Sequence, residues 1–208
     1  MAQAATTARL TEEEYLVLEE KSEIRHEFFD GEMFAMAGGT FHHSIIASNL
    51  IGHLGSLLKR RCFVGNADLR IKVEATGLLT YPDVSVICGA PELIHRPSDT
   101  LTNPTLVAEV LSPSTELYDR GVKFEHYRQI PSLTTYLLVS QEAPRVEQYV
   151  RETEFKWEYR TAMGPDSAIE LPTLEITLSL AEVFAGVQFQ SAPGSHLRPP
   201  ARPDTEMI

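Results

Sequence analysis

In TFHHSIIASNLIGHLGSLLKRR the apolar residues Ile45, Ile46, Leu50, Leu54, Leu57 and Leu58 recur at a spacing that predicts a long amphipathic helix. Lys59, Arg60 and Arg61 follow it, charges that suit a helix C-terminus. Upstream, LTEEEYLVLEE reads as a shorter helix, with Thr11 as N-cap and Glu14 as its capping-box partner. Between them, EIRHEFFDGEMFAMAG alternates around Asp30-Gly31, which predicts a hairpin.

After the long helix the pattern shortens. Strands are expected around 62–64, 69–73 and 83–87, and in LVAEVL at 106–111. Residues 89–104, rich in Pro, Ser, Asp and Asn, read as a loop. SPST is a turn, and a helix is expected from Glu116 to about Gln129, stopped at Ile130-Pro131. LTTYLLVS, PRVEQYVRE and FKWEYRT predict three consecutive strands, the last two an antiparallel pair. On FKWEYRT, Phe155, Trp157 and Tyr159 alternate and read as one packed face. A short strand near 168–171 and a helix near 180–185 complete the pattern.

This order gives an α/β (α+β) fold, a mixed β-sheet flanked by helices, with an N-terminal helix and hairpin. LVAEVL, the following helix and LTTYLLV have the length of a βαβ crossover. Residues 1–9 read as a flexible N-terminus, 10–187 as one domain, and 188–208 as a disordered proline-rich tail. No internal repeat is visible.

Composition changes this picture little. The chain has 208 residues, 43% of them hydrophobic, enough for one domain with a core. No apolar run approaches the ~20 residues of a membrane span, and the N-terminus lacks the apolar stretch of a secretory signal. A cytoplasmic protein without a membrane partner is expected. Cys62 and Cys88 form no CxxC pair and read as two buried thiols. The net charge of −11 argues against nucleic acid as a partner. Its distribution softens that objection, because residues 33–130 hold 9 acids and 9 bases.

Two acids stand out. Asp83 follows Pro82 at the start of an apolar run, and Glu109 sits inside another. A buried carboxylate is costly unless paired or bound to a cation. Two at neighbouring strand ends would suit Mg²⁺, which takes one or two carboxylates plus water and phosphate oxygens. Either acid alone also reads as a turn cap or a solvated strand residue. On the next helix, Asp119 and Lys123 are four apart and share a face. Lys123 could turn toward the acids and stabilise phosphate charge, or the pair could be an ordinary surface salt bridge. SPST lacks the glycines of a nucleophile elbow. HExxH and Walker patterns are absent.

DGE at 30–32, the histidine at the start of the long helix, PDVSVI at 82–87, AEVLSPST at 108–115 and DRGVKFEHYRQIPSLTTYLLVS together resemble the Uma-type restriction-endonuclease family. That family lies within the PD-(D/E)XK nuclease superfamily, and the resemblance spans roughly residues 10–187. It implies a restriction-endonuclease-like core and Mg²⁺-dependent cleavage of DNA, with Mn²⁺ as a substitute. Asp83, Glu109 and the Val110 carbonyl would hold the metal. Leu111 stands where the superfamily places a lysine, and Lys123 matches the lysine that takes over from the following helix. His43 and Glu32 match supporting positions, although a helix cap and a solvated hairpin residue are the plainer readings. Asp119, Arg120 and Arg128 are further candidates, the arginines for phosphate contact. A homodimer would suit two strands of DNA. The rival reading is a nuclease fold that binds DNA or regulates without cutting.

Overall fold

The structure, a computed structural model, describes residues 9–36, 38–95 and 99–189. Helix α1 (Glu12–Glu19) carries the expected capping box of Thr11 and Glu14. Strands β1 (His26–Phe29) and β2 (Glu32–Ala35) form the hairpin. Its turn places Asp30 at φ 50° and Gly31 at φ 81°, where a side chain at the second position would be strained. A Cβ there would also meet the Arg9 Cβ at 2.5 Å.

Helix α2 (Phe41–Leu58) buries Ile46, Leu50, Leu54 and Leu58, one i,i+4 stripe. Its N-cap is Thr40, whose hydroxyl accepts from the His43 N–H at 3.1 Å. Strands β3 (Cys62–Asn66), β4 (Arg70–Val73), β5 (Leu78–Thr80), β6 (Val84–Cys88), β7 (Leu93–His95), β8 (Asp99–Leu101) and β9 (Leu106–Val110) follow. A composite helix comes next: α3 (Glu116–Tyr118), a π-helical stretch (Asp119–Lys123) and α4 (Phe124–Tyr127). Strands β10 (Thr135–Val139), β11 (Arg145–Arg151), β12 (Trp157–Met163), β13 (Ala168–Leu171) and β14 (Ile176–Ser179), then helix α5 (Leu180–Val183), complete the chain.

The fold is the expected mixed α+β one, but twelve of these strands build two six-stranded sheets rather than one, and β13 and β14 form a separate antiparallel hairpin. The central sheet runs β12-β11-β10-β9-β6-β3 and the second runs β2-β1-β5-β4-β8-β7. β9 and β10 are parallel, so the expected βαβ crossover is present, with the composite helix as its connection. Alternation along β9 divides the core. Leu106, Ala108 and Val110 face α2, β13, β14 and α5. Val107 and Leu111 face α4 and the second sheet. A smaller cluster of Tyr15, Leu16, Phe28 and Leu79 joins α1 to the hairpin.

Several expectations need correction. Residues 89–104 are not one loop, since β7 and β8 form the far edge of the second sheet. β5 and β14 were too short to show a period. Cys62 and Cys88 face each other across the β3–β6 ladder and form a disulfide with Cα atoms 4.3 Å apart. Spacing along the chain could not reveal that register. Phe155 precedes β12 and is exposed, whereas the Trp157 ring meets Phe124 edge-on at 5.3 Å. The described part of the flexible N-terminus, Arg9, pairs with Asp30 at 2.5 Å. Val187 and Phe189 pack against the core. Expectations for 1–8 and 190–208 lie outside the described residues. No helix among the described residues is long and apolar enough to cross a membrane.

Arg120 ties the composite helix to β11. It donates to Glu116 at 2.8 Å and, through two nitrogens, to Glu147. Burial would raise the Glu147 carboxyl, but Arg120 overrides that and holds it below its ordinary 4.5. A group depressed in the fold contributes stability above its unfolded pKa and loses it as pH falls through the folded value. The stability gap between wild type and Glu147→Gln is therefore expected to be widest above the ordinary carboxyl value of 4.5 and to close as pH falls through the lowered folded value. Urea unfolding across that range checks this, and a gap independent of pH would contradict it. Leu50→Ala, at a fully buried position of α2, is expected to cost about 3 kcal/mol in the same assay.

Candidate active site

The alternation that buries Val107 and Leu111 puts Glu109 on the same face of β9. Glu109 is only 4% exposed and must find partners there. Two come from the composite helix. The Tyr127 hydroxyl donates to Glu109 Oε1 at 2.8 Å, and Lys123 Nζ lies 2.9 Å from the same oxygen. Asp119, Lys123 and Tyr127 follow at i,i+4 spacing and are all buried. Asp119 and Lys123 bound the π-helical stretch. Such a stretch widens one turn and often marks a functional site. Asp119 Oδ1 lies 3.6 Å from Lys123 Nζ.

Asp83 occupies the corner where the chain leaves β5 of the second sheet and enters β6 of the central one. Pro82 suits that corner, being extended and lacking an N–H. The Asp83 carboxylate accepts from the Val110 N–H at 2.7 Å. Its own N–H points at Glu109 Oε2, 3.4 Å away. His43 Nε2, at the start of α2, is 3.1 Å from Asp83 Oδ2. That hydrogen bond raises the His43 pKa against the opposing effect of burial. The N–H and C=O of one strand residue face the same edge, so the Val110 carbonyl also points toward Asp83.

The second sheet supplies a carboxylate that the sequence did not single out. Glu27 of β1 is 7% exposed, and its Oε1 lies 2.9 Å from Lys123 Nζ. Thr80 of β5 donates to the same oxygen at 2.5 Å. Glu32, the expected hairpin carboxylate, is exposed on β2 and enters none of the cluster's hydrogen bonds or ion pairs among the described residues. Hairpin register did not separate the two acids, because it pairs Phe29, on the Glu27 face, directly with Glu32. Arg120 is held by Glu116 and Glu147, and Arg128 by Glu125 and the Phe155 carbonyl. Both make structural contacts rather than joining the cluster.

The electrostatics are lopsided. Burial pushes the Glu109 carboxyl up to about 8; Lys123 pulls it down, while Asp119 and Asp83 add to the rise. Burial likewise raises Asp119. Burial would lower Lys123, yet Glu109, Glu27 and Asp119 raise it well above its ordinary value. Four carboxyl groups thus crowd one ammonium and one imidazole, and the rise at Glu109 and Asp119 is one that a bound divalent cation would reverse. Among the described residues no cluster of three or more His, Cys, Asp or Glu side chains is arranged to hold a metal ion. A cation here would rely on Asp83, Glu109, the Val110 carbonyl, water and substrate oxygens. That oxygen set fits magnesium.

Comparison with known proteins agrees with this architecture. A solved structure from Anabaena variabilis, described as a "putative nuclease belonging to DUF820", superposes with a TM-score of 0.67 at 21% identity. The match covers 82% of this chain and 95% of that one. Two uncharacterised proteins of Synechocystis sp. are similar in sequence. The protein slr1290 is 37% identical, with 89% of this chain and 97% of the relative covered. The protein sll1609 is 36% identical, with 85% and 100% covered. The sequence profile of the Uma2 family, described as "Putative restriction endonuclease", matches residues 12–182. Matched along most of its length, the chain belongs to the Uma2 family.

Proposed function

We propose that this protein is a metal-dependent endonuclease that hydrolyses DNA phosphodiester bonds at the Asp83–Glu109–Lys123 cluster. The observation behind the reading is the approach of Lys123 Nζ to within 2.9 Å of Glu109, from a helix that follows the Glu109 strand. That approach supplies the cation missing at Leu111. Asp83, Glu109 and the Val110 carbonyl would hold Mg²⁺ or Mn²⁺. A bound ion there would acidify a water and offset charge on the phosphate.

The side chains divide the remaining work. Lys123 offers N–H groups to the phosphate oxygens on which charge accumulates as the P–O bond breaks. Tyr127 fixes the Glu109 rotamer by its hydrogen bond. His43 and the Val110 N–H fix Asp83. Packing around Glu109 and Lys123, each 4% exposed, keeps bulk water from screening them. A two-fold pair of chains would bring one such cluster to each DNA strand, in a protein of the cytoplasm.

A second reading has one observation in its favour: Lys123 is enclosed by three carboxylates. A fold that binds DNA and regulates without cutting it is compatible with that enclosure. Plasmid nicking in Mg²⁺ or Mn²⁺ separates the two. Wild type is expected to cleave, and Asp83→Asn and Lys123→Met are each expected to lose at least about 100-fold in rate while still binding DNA. DNA retained without any cleavage by wild type would favour the second reading, and sedimentation velocity with and without DNA tests the dimer.

A further inference from the structure

We propose that Glu27 is the positioning residue of Lys123, holding its ammonium at the seam between the two sheets so that Glu109 can serve a cation. This rests on the nuclease reading above. An ammonium has three N–H donors. Here two oxygens lie at hydrogen-bond distance, Glu27 Oε1 and Glu109 Oε1, each at 2.9 Å. Asp119 stands off at 3.6 Å.

The two close carboxylates differ in their other obligations. Glu109 lies beside Asp83, and its second oxygen faces the Asp83 N–H at 3.4 Å. A divalent ion bound there would compete for Glu109 and repel the ammonium. Among the described residues Glu27 makes no hydrogen bond or ion pair with Asp83 or Val110. It is fixed instead by the Thr80 hydroxyl at 2.5 Å. Burial would raise its carboxyl, but Lys123 and this hydrogen bond keep it below its ordinary value, so it persists as an anion. Glu27 is thus a counter-charge outside the expected metal ligands, locked in place by the second sheet and the composite helix.

The test combines Glu27→Gln with Lys123→Met. Glu27→Gln is expected to lower kcat for Mg²⁺-dependent plasmid cleavage by about 100-fold. KM for DNA and calorimetric Mn²⁺ affinity should stay unchanged. The double variant should be no slower than Lys123→Met alone. Additive losses, or weakened Mn²⁺ binding, would overturn the proposal.

A second readout needs no catalysis. In ¹H–¹⁵N spectra of the whole chain, wild type should show a slowly exchanging Lys123 ammonium signal that Glu27→Gln abolishes. Survival of that signal unchanged would overturn the proposal. If wild type cleaves nothing, the nuclease reading fails and the ammonium signal still decides the role of Glu27. Where circular dichroism shows Glu27→Gln unfolded, Glu27→Asp carries the comparison. A displaced Lys123 signal supports the proposal, and one identical to wild type refutes it.

Discussion

A buried ammonium shared by carboxylates of two sheets is the interaction around which this protein is arranged. Lys123 bridges Glu27 of the second sheet and Glu109 of the central one, each at 2.9 Å. Removing the lysine would leave buried carboxylates without their ammonium counter-ion, among the costliest defects a folded protein can carry. The apolar packing around it has a clear division of labour. Helix α2 and the β13–β14 hairpin cover one face of the central sheet with aliphatic side chains. The composite helix covers the other with aromatics, Phe124 stacking on Tyr136 at 5.4 Å, and holds a polar stripe among them.

Much of the fold was legible because its signals are local. The i,i+4 stripe of α2, the capping box of α1 and the Asp30-Gly31 turn each lie within one element. The β9–helix–β10 crossover followed from connection length. The two sheets were not separable, because nothing in a short strand states which sheet it joins. Tyr81-Pro82 carries the chain from one to the other, yet reads in sequence as the start of a single strand. The Cys62–Cys88 bridge was hidden for the same reason, being a matter of ladder register.

The site was half legible. Asp83 and Glu109 stood out because acids in apolar runs demand an explanation, and Lys123 because it falls one turn after Asp119. Motif matching then favoured Glu32, whereas Glu27, the hairpin acid at Lys123, is flanked by His26 and Phe28 with no distinctive spacing. Tyr127 and Thr80 were equally silent. Their hydroxyls matter only because the tertiary fold aims them at carboxylates.

The corner at Pro82 has a consequence for how the chain matures. Its reactive groups come from four separate stretches, and no single one of them contains even a partial pocket. Contacts this distant in sequence form late, after loop closure has been achieved. A nascent or partly unravelled chain therefore lacks the assembled cluster, which exists only where the two β-layers meet.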